Sequence, residues 1–493
     1  MTSSTPQDFE DEEPDAMINP AEVAEEIASD PDEPMGSAGS EEAALHEVDA
    51  DPVITLQNDS VAHFDAHQDS IFCIAQHPIH PEIIATGGGD DVGYIFDSTP
   101  LSGPVLPPSY QNTPLPAERD SLAPLYKLDG HADSVIAVTF TLPRGQYVVS
   151  AGLDGRLRAH GDRSGDGDGR SWRLIGENQE VEEINWLISC PHPNYPNTVA
   201  LGANDGSVWV YTINHEDTTS PLTIVQAFYL HTQSCTAGAW TPDGKMLATV
   251  SEDGSFLVWD VFGEASAADL VASPGTSAVV ALTATDQRFA VEGGLFSVAV
   301  APTGAFAAIG GAGGNIRVIG LPRIGGDALG AGSGSGGGRA AGARAAASAG
   351  AGAGAGQAGQ ILASLQAQAD GIETLSFSPA PLTLLAAGSV DGSITLFDTA
   401  RRFAVRRQIG EAHEEFAVVK LDFVDEPRTG GWLLTSSGMD GVVRRWDTRG
   451  GTAAANHGLI KEWKGHRGGG EGGGVLGFVQ GGGVGRIVTA GDE

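Results

Sequence analysis

Positive charge is scarce in this chain: 27 Lys and Arg stand against 64 Asp and Glu, a formal net charge of −37 over 493 residues, and none precedes Arg119. A surface so poor in cations cannot neutralise a phosphate backbone, which excludes direct nucleic-acid binding from the expected functions. Cysteine is nearly absent as well. Cys73, Cys190 and Cys235 show no paired spacing, so reduced, structural thiols in the cytosol, and also the nucleus, are expected. No run approaches about 18 uninterrupted apolar residues, so no membrane span is expected. The first residues are acidic where a secretory leader needs a basic and then an apolar stretch. Catalytic signatures are missing too: there is no HExxH, nucleophile elbow, P-loop or CxxC pair. No enzyme, no cofactor and no metal site is expected. The run Asp162–Gly169 echoes a calcium loop, but Ile175 stands where a bidentate Glu is required.

What the chain does have is a returning phrase. Its fullest copy runs from His231 through Trp240-Thr-Pro-Asp-Gly to Thr249, Asp253 and Trp259-Asp260. Units anchored at His67, His131, Gln179, His231, Val291, Gln368, His413 and His466 each show an apolar run, a turn, a second run, a Gly/Asp turn and a third run. The runs are too short for helices and rich in Val, Ile, Phe and Trp, which makes them strands. Asp-Gly pairs such as Asp253-Gly254 and Asp440-Gly441 supply the tight turns. Short strands repeating every 40–50 residues or so are the pattern of an all-β propeller.

These residues resemble the WD-repeat family from about residue 53 to the end of the chain. The resemblance implies a buried His, Ser/Thr, Asp and Trp bonded together inside each blade. The set is complete in unit four (His231, Thr249, Asp253, Trp259) and in unit seven (His413, Ser436, Asp440, Trp446). Unit two has His160 in place of the Trp, and unit five has Val291 and Gly313 at the His and Asp slots. The reading is structural rather than catalytic, because buried polar groups must find partners.

Eight anchors predict eight blades, the last one incomplete. Its third strand is missing, and the stretch Val53–Phe64 is expected to serve as the outer strand that closes the ring, with the chain truncated. Residues 1–52 form the other expected region. Seventeen acids among the first 51 residues, with Pro and Ser and few bulky apolar side chains, predict a disordered acidic tail. The Gly/Ala-rich stretch 325–359 is expected to be a flexible insertion in the propeller domain 53–493.

In a propeller, the loop entering the first strand and the turn between the second and third strands open on one face. The sequence places Asp69, Asp133, Glu182, Glu183, Glu373, Glu414 and Glu415 on the entering loops and first strands, and Glu252 at a turn. Phe72, Phe416 and Met439, with Ile136, lie among them. Acids separated by apolar gaps suit an extended peptide carrying Arg and Lys. Charge would speed and orient the encounter, and a few apolar anchors would supply much of the energy.

Within the WD-repeat family, three phrases are similar to one branch. They are His67-Gln-Asp-Ser-Ile-Phe-Cys-Ile with Thr86-Gly-Gly-Gly-Asp-Asp, Leu201-Gly-Ala-Asn-Asp-Gly-Ser-Val-Trp-Val-Tyr, and the unit-four phrase. The branch is that of the angio-associated migratory cell protein, whose fungal member is a dedicated ribosome-assembly chaperone. The resemblance implies a monomeric binding protein whose client is one basic large-subunit ribosomal protein of the L10e (uL16) type. The client's N-terminal segment would be held on the acidic face until it joins the late pre-60S particle. A scaffold or adaptor subunit of another complex remains the alternative.

Overall fold

The computed structural model describes residues 58–100, 120–162, 170–272, 275, 277–324, 357–425, 429–450, 455–466, 473–481 and 486–492. The expected acidic tail, most of the insertion and nearly all of the run Asp162–Gly169 lie outside them.

Local chemistry sets each sheet. In unit four the second strand Met246–Ser251 is buried at every position, as is the third strand Phe256–Asp260. Between them Gly254 adopts φ +74°, which a side chain would resist. The Asp253 carboxylate accepts the Ser255 N–H at 2.8 Å and fixes the turn. Repetition of this hairpin yields seven four-stranded antiparallel sheets and one two-stranded sheet, Val475–Gln480 with Ile487–Gly491. The first strands Ile71–Gln76, Val135–Phe140, Ile184–Ser189, Cys235–Trp240, Leu295–Val300, Ile372–Phe377 and Val418–Phe423 each touch the next in sequence. Val475–Gln480 then touches both Val418–Phe423 and Ile71–Gln76. The first strands therefore form a closed inner ring.

Seven blades are complete among the described residues, and the eighth unit supplies two strands. The predicted outer strand Val53–Phe64 is corrected. Residues 53–57 are not described, and Asn58–Phe64 runs without a strand ladder. This segment acts as a strap. Asp59 donates its N–H to the Lys464 carbonyl of unit seven at 2.6 Å and accepts the Lys464 N–H at 3.0 Å. Phe64 stacks on Phe96 of blade one at 4.2 Å.

The apolar cores lie between blades rather than within them. Phe228 of blade three stacks on Trp259 of blade four at 4.4 Å. Trp186 lies over Gly202 and Gly238, where any Cβ would stand 2.3 Å from the indole. The seam between units seven and eight is different, because polar groups hold it. Lys420 donates to the Phe478 carbonyl at 2.8 Å, and Gln480 accepts from Thr435 at 2.7 Å while donating to Asp422 at 3.0 Å. Burial pushes the Lys420 ammonium down and the Asp422 carboxyl up from their usual ranges.

The His–Ser/Thr–Asp–Trp sets form inside the blades. His413 bonds Asp440 at 2.8 Å and Ser436 at 2.7 Å, and Trp446 donates to the same Ser436 hydroxyl at 2.8 Å. In unit four, His231 and Trp259 both meet Thr249 at 2.8 Å. There Ser255 stands between His231 and Asp253, with Nδ1 2.5 Å from its hydroxyl and 4.0 Å from the carboxylate. The Gln179 anchor is corrected. Gln179 ends the outer strand Trp172–Gln179, is exposed, and donates to the Asp154 carbonyl; Val181 is the buried side chain of that loop. In unit six Gln368 does the work of His, donating to the Ser393 carbonyl at 2.9 Å.

Burial holds His231 down to about 4, against the opposing pull of Asp253. The folded protein therefore keeps this ring neutral, while the unfolded chain protonates it below its ordinary value. The folded state binds fewer protons, so the stability contribution is complete above pH ~6.5 and is lost as pH falls towards 4. His231→Gln, which copies unit six, is expected to flatten the loss of stability between pH 7 and 5 by about 2 kcal/mol. Denaturation midpoints at the two pH values measure this. An unchanged pH slope would assign the acid sensitivity to another group.

Candidate functional site

One hydrogen bond recurs in all eight units and builds the mouth of the ring. The residue leaving each second strand donates its N–H to the carbonyl at the end of the loop that enters the first strand. The donors are Gly89, Leu153, Asn204, Glu252, Ala312, Val390, Met439 and Asp492. Their acceptors are Ser70, Ser134, Glu183, Ser234, Gly294, Gly371, Ala417 and Gly474, at 2.8–3.3 Å. Entering loop and turn are thus clamped side by side in every unit, on one face of the ring.

A second recurrent feature lies one residue further in. Every first strand carries a bulge at its second position, so Phe72, Ile136, Asn185, Thr236, Phe296, Glu373, Val419 and Leu476 have no partner in the ladder. A bulge re-aims its side chain. None of these eight is buried, although the residue before it is buried in seven of the units. Asn185 and Thr236 turn onto the next blade, donating to Ser234 at 2.8 Å and to the Leu295 carbonyl at 2.6 Å. The other six, five of them apolar, sit at the inner rim.

The predicted acids fall around this rim. Asp69, Asp133, Glu182, Glu183, Glu252, Glu373, Glu414 and Glu415 are all exposed. Asp69 and Asp133 each accept the N–H of the following Ser at 2.7 Å, which fixes the loop. The Phe72 ring, 40% exposed, lies with Asp69 against the Gly89 turn, placing an apolar face beside a carboxylate. Glu373 is held above the usual carboxylate range by partial desolvation and by the charge of Asp370. Met439 and Phe416 are half-buried. Met439 sets its sulfur against Gly474 at the seam between units seven and eight. Phe416 donates its backbone N–H to the His413 carbonyl at 3.0 Å within its own loop.

Sequence reasoning missed Asp370, which repeats the geometry of Asp69 and Asp133 by accepting the Gly371 N–H at 2.7 Å. Its spacing, two residues after the slot held by Gln368, was the available signal. It also missed Phe296, Val419 and Leu476, because a bulge has no mark in residue type. Tyr229 and Leu230 are 65% and 55% exposed, and the Tyr229 ring meets Trp209 edge-on at 5.7 Å. Among the described residues of the entering loops and turns, one side chain is basic, Arg288, and Asp286 binds it at 2.7 Å. The eight exposed acids named above form no ion pair with Lys or Arg among the described residues, whereas Asp154 and Asp440 at the turns are paired with Arg156 and Arg444. Such a surface attracts an extended cationic chain and repels an anionic one. No group of three or more His, Cys, Asp or Glu among the described residues is arranged to hold a metal ion. No described helix is long and apolar enough to cross a membrane.

Known proteins share this architecture. The WD domain, G-beta repeat model matches residues 122–159, 222–260 and 359–398. The crystal structure of Chaetomium thermophilum Sqt1 is 51% identical, with a TM-score of 0.74, covering 88% of this chain and 96% of that one. The same protein crystallised with the N-terminus of the ribosomal protein L10 matches at 50% identity and a TM-score of 0.74, over 88% and 98% of the two chains. The ribosome assembly protein SQT1 of Saccharomyces cerevisiae is 34% identical over 214 residues, 42% of this chain and 43% of that protein. The human angio-associated migratory cell protein is 23% identical over 417 residues, 83% of this chain and 74% of that one. With 51% identity across 96% of the Chaetomium thermophilum Sqt1 chain, and with WD repeats of its own, this chain belongs to the Sqt1 family of WD-repeat proteins.

Proposed function

We propose that this protein is a ribosome-assembly chaperone. It holds the basic N-terminal segment of a newly made large-subunit ribosomal protein of the L10 kind on the acidic mouth and delivers it to the late pre-60S particle. The observation that carries the reading is the set of exposed carboxylates on the entering loops, turns and bulges of six units, without Lys or Arg partners among the described residues. The likeness to a relative crystallised with the N-terminus of L10 supports it. Capture neutralises client charge that would otherwise draw RNA or promote aggregation, and it needs no bond-making step. The protein is accordingly a binding protein and not an enzyme, acts in the cytoplasm, and works as a monomer with one client.

Asp69, Asp133, Glu182, Glu183, Glu252, Glu373, Glu414 and Glu415 would pair with client Arg and Lys. Phe72 and Phe296, both bulge residues, would take client side chains lying between the charges. The test uses the full chain and a synthetic Arg/Lys-rich peptide of an L10 N-terminus. Phe72→Ser with Phe296→Ser is expected to weaken the peptide about tenfold while leaving the salt dependence unchanged, because apolar anchors are not screened. Unchanged affinity in a folded double variant would remove the bulge ring from the site.

A further inference from the structure

The loops that enter the first strands follow a rule with two exceptions. The residue before the slot held by His, Gln or Val is small in six units: Ala66, Gly130, Ala290, Ala367, Ala412 and Gly465. Glu180 and Leu230 break the rule, and both flank blade three. Glu180 lies on the loop that enters it, and Leu230 on the loop that follows its outer strand Leu222–Phe228. Beside Leu230 stands Tyr229, the most exposed large apolar side chain among the described residues. Two such neighbours add nothing to a core, and an exposed apolar patch marks a contact surface.

Unit three also builds a wall for this patch. Four residues after its turn acid Asp205 stands Trp209, where units two, four and seven have Arg158, Leu257 and Arg444. Val181 occupies the His slot here, so no imidazole competes for the turn. Ser207 donates its N–H and its hydroxyl to Asp205 at 2.8 and 2.6 Å, and the Trp209 indole donates to that hydroxyl at 2.9 Å. The half-buried indole is thereby fixed, and the Tyr229 ring stands at 86° to it. The two rings make a corner rather than a stack. Tyr211, stacked on Trp209 at 6.5 Å, lies in the field of the Glu180 carboxylate. Glu180 is exposed and forms no ion pair with Lys or Arg among the described residues.

The chemistry of the corner selects among cations. Aromatic faces attract positive charge, and a nearby carboxylate adds to the pull. A guanidinium is flat and weakly hydrated, so it can lie on a ring while its N–H fork bonds a carboxylate; an ammonium is compact and strongly hydrated. We propose that Trp209, Tyr229 and Glu180 form a guanidinium subsite that takes one arginine of the client segment in preference to lysine, with Leu230 against the aliphatic stem. The inference rests on capture of a basic client at the mouth and adds a selectivity that exposed carboxylates alone lack. Corner and mouth are continuous. Glu182 and Glu183 share a loop with Glu180, and Gly206 packs so close to the loop of Leu230 that a Cβ would stand 2.9 Å from the His231 carbonyl.

The test titrates the full chain by calorimetry with two peptides, the L10 N-terminal segment and the same segment with every Arg replaced by Lys. The parent protein is expected to prefer the Arg peptide by about tenfold. Tyr229→Leu keeps an apolar side chain but removes the ring, and should cut that preference to about twofold while leaving the Lys peptide unchanged. Tyr229→Phe should retain the full preference. Tyr229 is exposed, so neither substitution threatens the fold. A parent without the preference, or a preference that survives Tyr229→Leu, overturns the subsite and leaves capture at the mouth in place. An equal loss for both peptides does the same, by making Tyr229 a plain apolar contact. Failure of the parent to bind either peptide removes the capture reading and the subsite together.

Discussion

Glu182→Lys combined with Glu183→Lys is expected to weaken capture of a basic L10 peptide by about thirtyfold at low ionic strength. Two attractive charges become two repulsive ones on a single entering loop. That loop is fixed by the bond from the Asn204 N–H to the Glu183 carbonyl, a backbone contact that the substitution leaves intact. Both side chains are exposed, so the fold should tolerate the change within about 0.5 kcal/mol. The penalty should fall mainly on the association rate and shrink as salt rises, since the Debye length drops from about 10 Å at 0.1 M to about 3 Å at 1 M. Stopped-flow association at two salt concentrations reads both effects. A variant that binds as fast as the parent at low salt would show that the peptide does not cross this rim.

Asp440→Ala is expected to cost about 3–5 kcal/mol, because it strands charge inside unit seven. Asp440 accepts from His413 and from Arg444, and its side chain is only 5% exposed. Without it, Arg444 keeps Glu462, at 3.3 Å, as its carboxylate, and His413 Nδ1 is left facing the Arg444 guanidinium at 2.9 Å. The interactions of Asp440 hold its carboxyl below the usual range even though burial opposes them, which marks how firmly the folded state uses the charged form. Asp440→Asn keeps an acceptor and should lose roughly half as much. Urea denaturation gives the totals, and hydrogen exchange across Leu433–Asp447 localises them. A loss below about 1 kcal/mol for the Ala variant would mean that the set is dispensable.

The strands were legible because their pattern is local. Runs such as Val418–Phe423 and turns such as Asp253-Gly254 carry their conformation in residue type, and both appear where expected. The acids at the rim were legible for the same reason, since a turn fixes which face its residues share. The bulges were not. Phe296 and Val419 look like any strand residue, and the register shift that exposes them arises from pairing with the second strand. The role of Val53–Phe64 was misread because an alternating stretch makes a strand only when a neighbour offers an edge to pair with. The described part of it finds carbonyls and a ring to pack on instead. Gln179 misled through composition: a polar residue at the right distance was taken for the anchor, whereas one residue fewer between loop and strand buries Val181.

The strap carries a consequence for the order of events during synthesis. Asp59 and Lys464 are 405 positions apart, and Ser70 of the first entering loop donates to Asp492. The first blade therefore waits for units seven and eight. Six apolar seams can zip in order as the chain emerges, each between neighbours, but the ring closes only once unit eight has been made. Contacts of such separation are slow to form and leave edges open meanwhile. A client arriving before that moment would find a partial crescent with splayed rim loops, so the capacity to capture should switch on late and abruptly.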